Sequence, residues 1–181
     1  MTTDKEILTL IARDPRQGFK CLMNRYKEPV YWHIRRLVVA HEDAQDATQE
    51  TFVRIYKALT TFHGEPAAFK SWIYRIATNE ALRLVNQRHS ENVSLDDTPA
   101  EAWNLMADEY VDYSDLEAVR LQQAIHALPT KQQLAFNLRY YSEMSYDEIA
   151  QVMDSTPDSA KSSYHIAKEK IINFMNLNPK Q

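Results

Sequence analysis

Glycine is nearly absent, at 2 of 181 residues. Tight β-hairpins draw on glycine for backbone with positive φ, so a sheet built on short hairpins is not expected. Alternating apolar and polar runs of the β type are scarce as well. The chain has one cysteine, Cys21, which excludes an internal disulfide and a cysteine-based zinc site. Cys21 lies in the apolar run GFKCLM, where a buried structural thiol is expected. No apolar run approaches the roughly 20 residues that span a bilayer. The opening MTTDKEILTL carries charges and no signal-peptide pattern, so a cytoplasmic location is expected. Glycine-rich phosphate loops, His-Glu-x-x-His spacing and a nucleophile with a nearby base are all missing. The chain is therefore expected to have no catalytic residues, no metal, no cofactor and no small-molecule substrate, and not to be an enzyme.

Long amphipathic stretches remain, and they predict an all-α fold. The spacing predicts a short helix over Lys5–Ala12. Pro15 starts a longer one through Leu22, Tyr26, Val30 and Ile34 to about Val39. A third runs over Glu42–Leu59, with Phe52, Ile55, Tyr56 and Leu59 as its buried stripe. Thr60–Ala67, marked by Gly64 and Pro66, reads as a loop, and Ala68 to about Arg88 as the next helix. Periodicity fades from Ser90 to Asp112, apart from a possible short helix over Ala100–Met106. It resumes in a helix that Ser114 opens and Pro129 ends, with Thr130 as cap of its successor.

Charge divides the chain in the same place. The net charge is −4. Glu91 to Glu117 holds nine acids and no Lys or Arg. The rest keeps all 21 Lys and Arg but only 16 of the 25 Asp and Glu. Two mildly basic pieces joined by an acidic linker result, over 1–90, 91–112 and 113–177. Mild basicity is compatible with DNA binding, and the acidic linker can mask basic surfaces.

Three stretches point to partners. On the third helix Asp43, Asp46, Gln49 and Glu50 project opposite the apolar stripe, as a solvated face suited to the helix dipole or as a docking face for a basic partner. On the fourth, Arg75, Asn79, Leu82, Arg83 and Asn86 share one flank beside aromatic residues. Guanidinium and amide groups there suit base edges and phosphates, and rings suit unstacked bases. Near the C-terminus, Tyr146–Met153, the turn Asp154–Ser155 and a helix begun by Thr156 and Pro157 make a helical hairpin. Ala160, Tyr164, Ala167 and Ile171 form its apolar face, and Lys161, Ser162, His165 and Glu169 its polar one. The same pattern serves DNA-reading helix-turn-helix units.

In this order the stretches resemble the bacterial sigma-70 family, in its small extracytoplasmic-function (ECF) branch, over nearly the whole chain. DAQDATQETFVRIYKAL is similar to the region 2 helix that docks on core RNA polymerase. TTFHGEPAAFKSWIYRIATNEALRLVNQR is similar to the segment that melts and reads the minus-ten element. ALPTKQQLAFNLRYYSEMSYDEIAQVMDSTPDSAKSSYHIAKEKI is similar to region 4, which reads the minus-thirty-five element.

The resemblance implies a non-enzymatic specificity subunit that binds core RNA polymerase and promoter DNA and helps open the duplex. It implies a region 2 helical bundle and a region 4 helix-turn-helix. It places Asp43, Asp46, Gln49 and Glu50 against the polymerase, and Phe62, His63, Gly64 and Glu65 around a flipped-out base. Arg75, Asn79 and Arg83 lie along the opened DNA, Thr156 on phosphate, and Lys161, Ser162 and His165 in the major groove. An anti-sigma factor, commonly membrane-anchored, is a further implied partner.

The chain departs from the family pattern at Asp154 and Asp158, where Gly is usual, and at Ser163 and Ile166, where Arg is frequent. Arg83 and Asn86 replace a common Asp and a common Arg. The alternative reading is an autonomous helix-turn-helix regulator, which should bind duplex DNA alone, usually as a dimer on paired half-sites.

Overall fold

A computed structural model describes residues 2–38, 40–91 and 116–177, with 88–91 described by backbone only. The described residues form α-helices, a 3-10 turn and short connections, with no strand among them. The chain divides into two compact units, Met1–Ser90 and Glu91–Gln181.

The first unit holds α1 (Asp4–Arg13), α2 (Pro15–Arg35), α3 (His41–Ala58), a 3-10 turn (Leu59–Thr61) and α4 (Pro66–Glu91). Local chemistry explains the starts. Thr3 and Glu6 make a reciprocal capping box on α1. Asp14 Oδ1 accepts from the backbone N–H groups of Arg16 and Gln17, with Pro15 at the first helical position of α2. α4 starts at Pro66, two residues before the expected Ala68. Pro66 at that position costs no hydrogen bond and presets φ. α2 also continues through the interior Pro29. Pro29 is exposed, while its neighbours Tyr26, Val30 and Ile34 are buried and hold the helix to the core.

The core of this unit is built from Ile7 and Ile11 of α1, Leu22, Val30 and Ile34 of α2, Phe52 and Ile55 of α3, and Phe69, Ile73 and Ala77 of α4. Burying each large side chain contributes about 1.5–3 kcal/mol. Cys21 is only half-buried, so the expectation of a buried thiol does not hold. It lies one residue before the inward-facing Leu22, part-way round the helix. Tyr56 also departs from the expected stripe. It is 48% exposed and meets the edge of Phe19 at 4.9 Å between ring centres.

Gly18 lets α1 approach α2. A Cβ there would sit 2.6 Å from the backbone N of Ile11 and 2.6 Å from its Cγ1. Backbone cannot rotate away, so the helices must separate. Gly18→Ala is expected to destabilise the chain by about 1–3 kcal/mol, although alanine normally improves a helix interior. Urea unfolding measures this, and an equally stable variant would show that the two helices are free to move apart.

The second unit holds α5 (Leu116–His126), α6 (Thr130–Tyr140), α7 (Tyr146–Met153) and α8 (Pro157–Leu177). Ala124, Ile125, Leu128, Phe136, Ala167 and Ile171 form one buried cluster, with Leu121, Tyr141 and Tyr164 packed on it. Thr130 is the first residue of α6, and Pro129 stands at the cap position without a side-chain bond. The expected Thr130 cap is therefore corrected. Ser145 and Glu148 form a capping box on α7.

Asp154 ends α7 with φ 51° and ψ 52°. It reaches the left-handed conformation that its usual glycine counterpart reaches freely, and aspartate tolerates this region better than most residues. The turn is thus formed in the left-handed way despite the departure from glycine at Asp154. The possible helix over Ala100–Met106, the helix start at Ser114 and nearly all of the acidic linker lie outside the described residues.

Candidate protein and nucleic-acid interfaces

On α3 the apolar residues Ala44, Ala47, Phe52 and Ile55 face inward. Asp46 and Gln49 are exposed, and Asp43 and Glu50 half-buried. The four polar residues thus occupy the outer side of one helix over two turns. Glu50 is not free-standing. Its Oε1 lies 3.1 Å from Arg54 Nε, one turn on.

Phe62 follows the 3-10 turn and anchors the next loop. Its ring centre lies 5.0 Å from that of Trp72 and 5.3 Å from that of Phe69, both on α4. Phe62 is half-buried, and His63, Gly64 and Glu65 are exposed. The Phe62 ring lies over Gly64, whose added Cβ would come within 2.7 Å of Phe62 Cζ. The loop is therefore a short exposed arc pinned by one aromatic ring to two others.

α4 carries Arg75, Asn79 and Arg83 at successive turns, and all three are exposed. Asn86 continues the same flank in an exposed position, whereas Leu82 is half-buried. Arg83 is held by Glu80, with Nε and Nη2 each 3.1 Å from Glu80 Oε2. Of the aromatic residues on this helix, Tyr74 is buried, and Trp72 is half-buried against Phe62.

In the second unit the Thr156 hydroxyl accepts from Ser159 N–H at 3.2 Å and caps α8. Thr156, Lys161, Ser162 and His165 are all exposed. Ser163 is buried and faces inward. Ile166 is 44% exposed, which puts an apolar group on the outer face of α8. α7 and the preceding turn are braced by Arg139. It donates to Met144 O at 2.7 Å and lies over the Tyr146 ring at 5.1 Å.

Among the described residues, no group of three or more His, Cys, Asp or Glu is placed to hold a metal ion. No helix among them is long and apolar enough to cross a membrane.

Residues 22–91 match the family model Sigma-70 region 2, and residues 118–171 match Sigma-70, region 4. The ECF RNA polymerase sigma-E factor of Escherichia coli K12 is 30% identical over 180 residues, covering 94% of this chain and 93% of that protein. The RNA polymerase sigma-H factor of Pseudomonas aeruginosa is 30% identical over 177 residues, covering 93% of this chain and 91% of its own. The chain belongs to the sigma-70 family. Its branch is that of the ECF RNA polymerase sigma factors.

Solved structures share the fold. CnrH, in complex with the cytosolic domain of CnrY, superposes with a TM-score of 0.73 at 20% identity, covering 97% of this chain and 99% of that one. The sigma factor RpoE of Bartonella quintana, in complex with the anti-sigma factor NepR, gives 0.69 at 20% identity, covering 90% and 99%. As an ECF sigma factor, the protein binds core RNA polymerase and directs it to promoters for transcription initiation.

Sequence reasoning missed Glu80 as part of these surfaces. Arg54 Nε lies 2.7 Å from Glu80 Oε1 and ties α3 to α4. The spacing Glu50–Arg54 (i,i+4) and Glu80–Arg83 (i,i+3) was visible in the sequence. The link between the two helices was not, because it depends on how they pack.

Proposed function

We propose that this sigma factor divides its tasks among three exposed surfaces. The α3 face of Asp43, Asp46, Gln49 and Glu50 docks on a basic surface of core polymerase. The loop Phe62–Glu65 and the flank Arg75, Asn79 and Arg83 take the opened strand at the minus-ten element. Thr156, Lys161, Ser162 and His165 meet the minus-thirty-five element in the major groove. The observation that carries the reading is the exposure pattern of α3 and α4. The acidic groups of one helix and the basic and amide groups of the other face outward, while their apolar faces share one core.

Each surface suits its partner physically. Carboxylates on a fixed helix attract a basic protein surface and steer docking. A flipped-out base loses stacking worth a few kcal/mol, which pocket contacts must offset. At the first turn of α8 Pro157 has no N–H and Ser159 N–H is held by Thr156, so attraction for phosphate there comes from the positive end of the helix dipole, which Asp158 opposes.

The protein works in the cytoplasm and contributes no catalytic group; the polymerase performs the chemistry. An anti-sigma factor is its further partner; the similar RpoE is in complex with the anti-sigma factor NepR, and CnrH with the cytosolic domain of CnrY.

Transcription from a library of random promoter fragments by bacterial core polymerase, with and without this chain, tests the function. Chain-dependent transcripts that share two upstream elements are the expected result. No transcripts and no core binding, beside tight DNA binding by the chain alone, would favour the autonomous regulator. For the second unit, Lys161→Ala is expected to weaken promoter binding by the holoenzyme and to flatten its salt dependence by roughly one unit of slope. An unchanged slope removes Lys161 from the phosphate contacts.

A further inference from the structure

One carboxylate joins the two faces of the first unit. Glu80 has only 4% of its side chain exposed, yet both its oxygens are engaged by guanidinium groups from two helices. Arg54 of α3 takes Oε1 at 2.7 Å, and Arg83 of α4 takes Oε2 through Nε and Nη2 at 3.1 Å each. Arg54 also holds Glu50, and Arg83 Nη1 donates to Gln87 Oε1 at 3.3 Å. The series Glu50–Arg54–Glu80–Arg83 therefore begins on the surface proposed for polymerase and ends on the surface proposed for DNA.

A negative charge beside a DNA-facing flank opposes phosphate through Coulomb repulsion. A use in DNA binding must therefore come from geometry. A guanidinium has five N–H donors in a rigid fork. Two of those of Arg83 are hydrogen-bonded, Nε–H to Glu80 and Nη1–H to Gln87, and Nη2 pairs with the same Glu80 oxygen. The long side chain is thereby ordered before any ligand arrives, so binding no longer has to order it.

We propose that Glu80 is a positioning residue for DNA binding. It holds the Arg83 guanidinium in one orientation on the exposed flank of α4, and Arg54 fixes Glu80 from the docking helix. The proposal rests on the reading of that flank as DNA-facing. Glu80 itself touches no DNA, and its effect passes entirely through Arg83.

The test uses holoenzyme assembled from Escherichia coli core polymerase and the full chain. The probe is a fluorescent DNA duplex of random sequence with a central mismatched bubble, and affinity is read as the increment over core alone. Glu80→Gln keeps the size and removes the charge. By charge alone the variant should bind DNA more tightly. Positioning predicts the opposite sign, a loss of about three- to tenfold, with core affinity unchanged and no further loss in an Arg83→Ala background. Arg83→Lys keeps the charge on an exposed side chain but lacks the fork, and the same loss is expected from it.

Arg83→Ala binding like the wild type would overturn the DNA-facing reading of the flank, and this proposal with it. A weakened Arg83→Ala beside an undiminished Glu80→Gln or Arg83→Lys would overturn positioning alone. Equal losses of core and DNA affinity in Glu80→Gln would mean that Glu80 only supports the fold. If Glu80→Gln does not fold, Arg83→Lys decides by itself.

Discussion

Lowering the pH from 6.5 towards 3 is expected to remove up to roughly 5 kcal/mol of stability from the first unit through His33 alone. His33 is 1% exposed, and its Nε2 lies 2.8 Å from Thr78 Oγ1. Burial, and secondarily the nearby Arg36 cation, depress its pKa from 6.5 to about 3. The folded chain therefore keeps His33 neutral while the unfolded chain protonates it. Its contribution is full above pH 6.5 and falls by about 1.4 kcal/mol per unit as the unfolded state takes up the proton. It is gone below pH 3.

A domain has only about 5–15 kcal/mol of stability in total, so by pH 3 this one group removes a large share of it. Urea unfolding followed across pH 3–8 checks it, with His33→Gln as reference. The difference in stability between the two proteins should shrink steadily as the pH falls below 6.5. A constant difference would mean that His33 titrates normally in the folded protein.

The second large effect concerns docking. Reversing Asp46 and Glu50 together to lysine is expected to weaken core polymerase binding by roughly one hundredfold, mostly through loss of charge complementarity. Folding should change little. Asp46 is exposed, and Glu50 loses only a half-exposed pair with Arg54, a kind worth about 0–1 kcal/mol. Arg54 keeps Glu80 as its partner. Titration of labelled core polymerase at two salt concentrations measures the change, and the deficit should narrow as salt screens the surface. Unchanged affinity in a folded double variant would remove the α3 face from docking.

How much was legible follows the range of the interactions involved. Pro15, Thr156 and Pro157 marked helix starts because capping and proline geometry act within one turn. The inward face of α8 was readable because helical spacing alone places Ala160, Ala167 and Ile171 together. Tyr56 was misread by the same rule. Its spacing matches the buried stripe, but it is left 48% exposed beside the edge of Phe19.

The sequence by itself determined the helical class, most helix boundaries and the family, since these depend on periodicity, caps and the order of motifs. Tertiary structure alone decided that Gly18 is the contact point of α1 with α2. It also decided that His33 pairs with Thr78, and that Phe62 pins its loop to Trp72. It put the carboxylate of Glu80 between arginines of two helices. His33 and Thr78 stand 45 positions apart, and no local pattern relates such residues. What brings them together is the burial of apolar faces, which chooses the neighbours of every polar group carried in with them.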